Sequence, residues 1–468
     1  MALSTPFGYF RPLCAITYWI DWHIWGATPA GFRFTGLVLA ALVAALVVVV
    51  TRRYTGDAAL AGLAGLLFSL HPYHVGAIAW VAARSDLLSA LLMLVAAWSF
   101  DRWSDRPRAL PFAAILLYEA ALLAKESSVV LVAFLFVVAL FDRKRRFRGM
   151  IWVRAFLPLT VVSLLHFTVL RAAVLGGTEL RQLNSIGAWR GNLFSYGASS
   201  VVPLPSEMFQ ERSWLWGGVA MIVALTLLAA ARLRKGKLPG VIWPTAVAFT
   251  VLLGPSLIAF VQRYYYLPSA AAALALAALL RAAGIRVGGW IAGTLAVVWI
   301  GTAVALWSAW FDAGTASRQL IARLVEISKT GDVETIVIAG SPHRVHGVPV
   351  TGAFERIVPF LGGRQVSIRT AAEFDYPTPG DDALAKPLEQ ALAAGSEPID
   401  LELVVERGRY SRYVWPRIDE GDTRILEDGV SLRRDGRDRL RVRITPRAGL
   451  RAYVWSGGDI TPIHRLPL

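Results

Sequence analysis

Lys125 and Glu126 stand side by side in the short polar run AKESS, and Arg84 and Asp86 close the run HPYHVGAIAWVAARSD. Both runs lie between long apolar stretches, where an ionisable side chain is costly and is retained for a purpose. Glu119 is the extreme case. It sits in LLYEAALLAKESS about 11 residues from the nearest basic cluster, near mid-membrane for a helix that rises 1.5 Å per residue. Glu126 follows seven residues later, on nearly the same helical face. A carboxylate so placed can take a proton from a hydroxyl, and a lysine or arginine can stabilise a departing phosphate. Glu126, Asp86 and Glu119 are therefore the candidate catalytic residues. Arg84, Lys125 and Arg263 are the candidate cations for a donor phosphate, Arg263 because QRYYYLPS sets it beside three tyrosines. His71 and His74 are added as groups that hydrogen-bond a phosphate or the membrane interface.

Structural roles compete with each of these. Asp86 near the start of a helix is what capping predicts. Glu119 could be neutral or hydrogen-bonded between helices, and Lys125-Glu126 could be a solvated helix tip. His166 in SLLHFTVL reads as a buried interhelical histidine. His71 and His74 are three apart, but nothing nearby supplies the further ligands of a zinc site, so no metal is expected. Taken together, the cations and carboxylates suit a lipid-phosphate-linked donor and an acceptor hydroxyl.

The elements that must hold these residues are membrane helices. Hydrophobic residues make up 55% of the chain. Apolar runs suggest about ten transmembrane helices, near 31–50, 57–71, 83–100, 109–124, 127–142, 152–171, 214–231, 239–261, 264–280 and 287–310. The formal charge of +15 is confined to this part: residues 1–311 carry 26 Lys+Arg against 11 Asp+Glu, and the remainder carries 22 of each. Basic loops that set membrane orientation explain that excess, and no stacking motif points to nucleic acid. The basic clusters at Arg52, Arg102–Arg108, Arg143, Arg232 and Arg281 fall on one side if the 109–142 run turns at AKESS. The polar candidates then gather on the other, outer side. The N-terminus also falls outside, yet MALSTPFGYFRPL is no signal peptide. Either helix 31–50 translocates the short N-terminus or, the favoured reading, a helix precedes residue 1. YFRPLCAITYWIDWHIWG reads as an interfacial helix.

Residues 312–468 are expected to form a small α/β or β-rich extracytoplasmic domain beside the all-α polytopic membrane domain of residues 1–311. It should open with the helix ASRQLIARLVEIS and the strand VETIVIAG, and continue with strand-like runs at 399–415 and 438–455. The single cysteine, Cys14, excludes an intrachain disulfide.

The pieces YFRPL, YWIDWHIWGATPAGFRFTGL, LFSLHPYHVGAIAWVAARSDLL, AKESSVVL, LPLTVVSLLHFTVLRAAVLG and QRYYYLPS occur in this order over about residues 9–270. In them the chain resembles the GT-C polytopic glycosyltransferases, in the branch of the TPR-bearing transmembrane O-mannosyltransferases and their bacterial relatives. The resemblance implies inverting sugar transfer, at the outer face, from a polyprenyl-phosphate donor to a glycan or protein hydroxyl. It implies no cofactor besides that donor. Arg far in excess of Lys, with abundant Ala and Gly, suggests a bacterial gene, and so a bacterial inner membrane. Departures from the pattern are Gly76 where an acid is expected, Gln262 before Arg263 where Glu is expected, and Arg33, Gly36 and Ala40 in GFRFTGLVLAA. The first helix of that family and most of its acidic outer loop have no counterpart here, and Asp21 lies after that loop's usual position. The alternative reading is a catalytically degenerate relative that binds polyprenyl-phosphate lipids as a scaffold or accessory subunit. A transporter lacks support, since no pair of broken helices related by internal symmetry is visible.

Overall fold

The computed structural model describes residues 10–107, 109–141, 149–170, 186–203, 213–235, 240–254, 261–339, 341–345, 348–350, 354–371, 373–376, 399–404, 412–415, 421–425, 430–434, 439–445, 449–456 and 459–462. The basic run at 143–148 and most of the long loop 172–213 lie outside them. Two compact units result, Met1–Leu306 and Trp307–Leu468.

The first unit is helical. Its elements are α1 (Pro12–Trp25), α2 (Pro29–Thr55), α3 (Ala58–Leu70), α4 (His74–Ala79), α5 (Arg84–Ser104), α6 (Phe112–Ala124), α7 (Val130–Phe141) and α8 (Met150–Leu165). Then come α9 (Ile186–Ser199), α10 (Ser213–Lys235), α11 (Ile242–Leu253) and the run α12 (Pro268–Ser328), which is bent at Gly284, where φ is 88°. Among the described residues, four stretches are long and apolar enough to cross a membrane: Pro29–Thr55, Val81–Ser104, Met150–Leu170 and Pro268–Ser328. Shorter apolar helices lie at Ala58–Leu70, Phe112–Ala124, Glu126–Leu140 and Ile242–Leu253. Large side chains such as Leu116, Ile222, Val297 and Trp290 face outward from this unit. That surface suits lipid tails rather than water.

The helix ends follow from local chemistry. Pro12 and Pro29 each stand in a first helical turn, where a missing N–H costs nothing. Asp57 caps α3 by accepting a hydrogen bond from the Leu60 N–H at 3.0 Å. The turn anticipated at AKESS is present. Helix α6 stops at Ala124, Lys125 is extended (φ −160°, ψ 129°), and Glu126–Val129 form a 3-10 turn before α7. Ser128 Oγ donates to the Ala121 carbonyl at 2.9 Å, supplying a partner to an acceptor at the end of α6.

Helix α1 turns Trp19, Trp22, Ile20 and Ile24 outward, as an interfacial helix would, and buries Cys14 and Asp21. Two contacts fasten it. Tyr18 OH donates to the Val81 carbonyl at 2.8 Å, and Cys14 Sγ lies 3.3 Å from the Ala124 carbonyl. The Trp25 ring lies over Gly31 so closely that a Cβ there would fall 2.2 Å from Trp25 Cγ. These contacts bring α1 against the two turns that carry the candidate residues.

In the second unit, β1 (Thr335–Ile338) pairs in parallel with β4 (Ser367–Thr370) and β11 (Leu450–Ser456), and β11 pairs antiparallel with β12 (Asp459–Pro462). A second, antiparallel sheet takes the order β6 (Ile399–Val404), β10 (Arg439–Ile444), β9 (Val430–Arg434), β8 (Thr423–Ile425), and a third the order β3 (Val348–Pro349), β2 (Ser341–Val345), β5 (Glu373–Tyr376), β7 (Arg412–Trp415). Ala313, Leu320 and Leu324 from the end of α12 pack on Ile336, Ile338 and Val442 in this unit's core. The helix and strands anticipated after residue 312 are therefore present as mixed small sheets.

Candidate functional site

The residues form three ion pairs on the turns that α1 covers. Asp86, in the first turn of α5, is held by Lys125 Nζ. Arg263 Nε lies 4.0 Å from the second oxygen of the same carboxylate. Lys125 and Arg263 share the face of Tyr264, with Nζ at 4.8 Å and Cζ at 4.9 Å from the ring centroid, and Arg263 also lies 4.3 Å from that of Trp80. Extended backbone at Lys125 turns its side chain back toward α5, which is why the break at AKESS matters for chemistry.

Arg11 grips Glu126 with two bonds, Nη2 to Oε1 at 2.6 Å and Nε to Oε2 at 2.9 Å, and Nη1 donates to Ser85 Oγ at 3.3 Å. Burial pushes the Glu126 carboxyl up, but the Arg11 hydrogen bonds and charge outweigh it and hold the group below the usual carboxylate range. A carboxylate so held accepts hydrogen bonds well and protons poorly.

The third pair is deeper. Arg84, 1% exposed, donates to Asp21 and, at 3.0 Å, to the Phe32 carbonyl, and its guanidinium lies 4.5 Å from the Tyr18 ring centroid. Asp21 Oδ1 accepts from Thr35 Oγ1 at 2.8 Å. Arg84 Nε is buried and has no partner among the described residues. Arg84 is thus enclosed rather than presented to a ligand. Arg11 and Asp21 were absent from the candidates read from sequence, though both are charges in an aromatic, otherwise apolar segment, a signal that a partner exists.

Counting the three pairs and Arg263, four cations face three carboxylates. The surplus is one positive charge, and Arg263, at 27% side-chain exposure, is the most open of those cations. Weakly screened by its surroundings, a surplus cation attracts an anion more strongly than it would in water.

The two histidines stand elsewhere than expected. His71 Nε2 donates to the Ser199 carbonyl at 3.0 Å, and its Nδ1 accepts from the Tyr73 N–H at 3.3 Å. Its ring lies 4.8 Å from that of Tyr265 and 5.0 Å from that of Trp299, centroid to centroid. His74 bonds Ser269 Oγ at 2.8 Å and lies between Phe68 and Tyr266. Both rings are buried in an aromatic cluster, where they bond Ser199 and Ser269. Glu119 is likewise apart from Asp86. Its Oε1 lies 2.9 Å from His166 Nδ1, the interhelical pairing weighed for both residues. Gly76 is buried in α4 with open space where a Cβ would project. Among the described residues no group of three or more His, Cys, Asp or Glu is arranged to hold a metal ion.

Comparison with known proteins fits the motif resemblance. The chain is 36% identical over 156 residues to the Drosophila melanogaster protein O-mannosyl-transferase Tmtc2, which is 32% of this chain and 16% of that one. It is 35% identical over 108 residues to human TMTC1, covering 23% of this chain and 12% of that one. The chain is a distant homologue of the TMTC protein O-mannosyl-transferases. The match to Drosophila Tmtc1 is 32% over 127 residues and 15% of its length, so this chain spans only a small part of the TMTC proteins it matches. No family model matches the chain, and no solved structure matches it.

The single cysteine reports on this assembly. Burial pushes the Cys14 thiol up to about 12, and its sulfur faces the end of α6. It is expected to resist a pyridyl disulfide reagent in the folded protein and to react fully in denaturant. The Arg11–Glu126 pair should govern that protection at low pH. Because the folded carboxyl lies below its unfolded value of about 4.3, the pair stabilises the docked α1 above that pH. The contribution is lost as pH falls through the folded value. Labelling of the full chain between pH 7 and pH 3 checks this. Protection should persist at pH 5 and fade only in stronger acid, and early loss near pH 6 would contradict it.

Proposed function

We propose that the chain is a membrane glycosyltransferase that moves a sugar from a polyprenyl-phosphate donor to an acceptor hydroxyl, on the membrane face carrying Asp86, Lys125 and Arg263. The observation that carries this reading is the surplus cation beside a carboxylate that two cations share. The donor phosphate would dock on Arg263 and draw Lys125 from Asp86. Asp86, released, would accept the proton of the acceptor hydroxyl as its oxygen forms the new bond to the anomeric carbon. The bond from that carbon to the phosphate oxygen would break with inversion. Its electron pair would stay on the polyprenyl phosphate, stabilised by Arg263 and Lys125. Glu126, tied to Arg11, would orient the AKESS turn, and Arg84 with Asp21 would fix the start of α5. Glu119 stands outside this group, so the role first expected of it passes to Asp86.

The TMTC proteins are protein O-mannosyl-transferases by name. Mannose as the sugar and a protein hydroxyl as the acceptor are therefore the first combination to test. Their relation to this chain and its apolar helices support an integral membrane location. About ten crossings in a bacterial inner membrane, with residues 312–468 outside the cytoplasm, complete the proposal.

One observation favours a second reading. All three site carboxylates are ion-paired. A protein that binds polyprenyl phosphate without turnover, as a scaffold or accessory subunit, needs nothing more. The experiment is reconstitution of the full chain in vesicles with polyprenyl-phosphate sugars and a protein acceptor. Product formation supports the enzyme. Saturable binding of polyprenyl phosphate with no transfer of any donor sugar would establish the second reading.

A further inference from the structure

Trp80 ends the HPYHVGAIAW run and follows the last residue of α4. Its backbone is extended (φ −86°, ψ 104°), and its carbonyl accepts from the Ala83 N–H at 2.8 Å as the next turn begins. Helix α4 is fixed at its start, where His71 and His74 bond the Ser199 carbonyl and Ser269 Oγ. Val75, Ala77 and Ala79 are buried along it. The opposing turn, Gln262–Tyr265, is also fastened. Tyr196 OH donates to the Val261 carbonyl at 3.1 Å, and Tyr265 OH donates to Ser200 Oγ at 2.6 Å. Between these two held turns the Arg263 guanidinium lies over the Trp80 ring, with Cζ 4.3 Å from the centroid. Among the described residues, Arg11, Arg84 and Lys125 each hydrogen-bond a carboxylate, whereas Arg263 stops 4.0 Å from Asp86. That distance is beyond hydrogen-bond reach.

We propose that Trp80 is a positioning residue for the donor phosphate: its indole holds the Arg263 guanidinium short of Asp86, which leaves the N–H groups of Arg263 to a phosphate oxygen. The proposal rests on the reading of Arg263 as the cation that receives that phosphate. A full Arg263–Asp86 bond would satisfy the guanidinium and lower its pull on a second anion. Opposite charges this close, in poorly screened surroundings, attract each other strongly. Lys125 bonds the other oxygen of Asp86, which lessens the pull of the carboxylate on Arg263, and Trp80 supplies the balance. A ring face attracts a guanidinium through its quadrupole and takes up none of the five N–H donors. Indole is the best of the aromatic faces for this. Tyr264 divides its attraction, because Lys125 Nζ and Arg263 Cζ lie 4.8 Å and 4.9 Å from the same centroid. Trp80 is the closer ring to Arg263.

The test is binding of a polyprenyl monophosphate by the full chain in nanodiscs. It compares the parent, Trp80→Phe and Trp80→Leu, each with and without Arg263→Ala. Trp80→Phe keeps a ring face and should bind within about threefold of the parent. Trp80→Leu keeps apolar bulk without a face and should bind about tenfold more weakly. Once Arg263 is alanine, neither change should weaken binding further. Tyr18 OH donates to the Val81 carbonyl beside Trp80, so Cys14 protection shows whether the turn is intact. Trp80→Met, whose side chain adapts to irregular space, takes the place of Trp80→Leu where protection is lost. Parental affinity in Trp80→Leu beside a loss in Arg263→Ala would overturn the role of Trp80 and leave Arg263 as the phosphate cation. Equal losses in Trp80→Phe and Trp80→Leu, or the same loss with and without Arg263, would make Trp80 a packing residue and overturn the proposal. Parental affinity in Arg263→Ala would overturn the reading beneath it as well.

Discussion

Replacing Asp86 by asparagine is expected to lower sugar transfer about 10²–10⁴-fold, the usual contribution of a positioned general base. Binding of polyprenyl phosphate should hold or tighten. The reason is the charge balance: Lys125 and Arg263 both face Asp86, and an amide in its place leaves two cations with one fewer anion. The expected signature is therefore a loss in kcat without a rise in KM for the donor. Breaking a buried pair also threatens the fold. Melting of the purified variant separates the two effects. A variant that melts like the parent, binds donor and does not turn over supports Asp86 as the base. One that retains full turnover removes Asp86 from the chemistry.

Asp21→Ala is expected to be the most destabilising of these changes, at about 3–5 kcal/mol, because it strands a buried guanidinium. Arg84 also contacts Phe32, Tyr18 and Thr17, none of which carries negative charge. Replacing both partners with apolar residues, Asp21→Leu with Arg84→Met, should recover much of the loss. The coupling is read from a double-mutant cycle by denaturant titration. Additive losses in the cycle would show that the pair does not act as a unit. The same burial means that Arg84→Ala cannot separate activity from folding, so Arg263 and Asp86 are the better probes of function.

Much of the site could be read from sequence because its members interrupt apolar runs. Lys125, Glu126, Arg84, Asp86 and Arg263 were singled out that way; the structure sets Lys125 and Arg263 on Asp86, but pairs Glu126 with Arg11 and Arg84 with Asp21. The break at AKESS was legible from basic flanks on both sides, which demand an even number of crossings. What escaped was pairing across distance. Arg11 is 115 positions from Glu126 and Asp21 is 63 from Arg84, and no periodicity links them. The surroundings of the histidines escaped for a related reason. Their solvation depends on Ser199, Ser269 and Trp299, the serines 128 and 195 positions away, so nothing local reveals that the rings are enclosed. The small sheets of residues 307–468 show strand alternation in sequence, but their division into three sheets depends on nonlocal pairing such as β1 with β11.

The central claim is that Arg263 and its neighbours receive a lipid phosphate. The most direct measurement is the affinity of the full chain in nanodiscs for a polyprenyl monophosphate, compared with Arg263→Ala and with a control, Arg318→Ala, an exposed residue near the far end of α12 whose side chain donates to Thr315 Oγ1. Loss of one charge-assisted contact of about 2 kcal/mol predicts roughly 30-fold weaker binding for Arg263→Ala and no change for the control. Equal affinity in all three proteins would contradict the account.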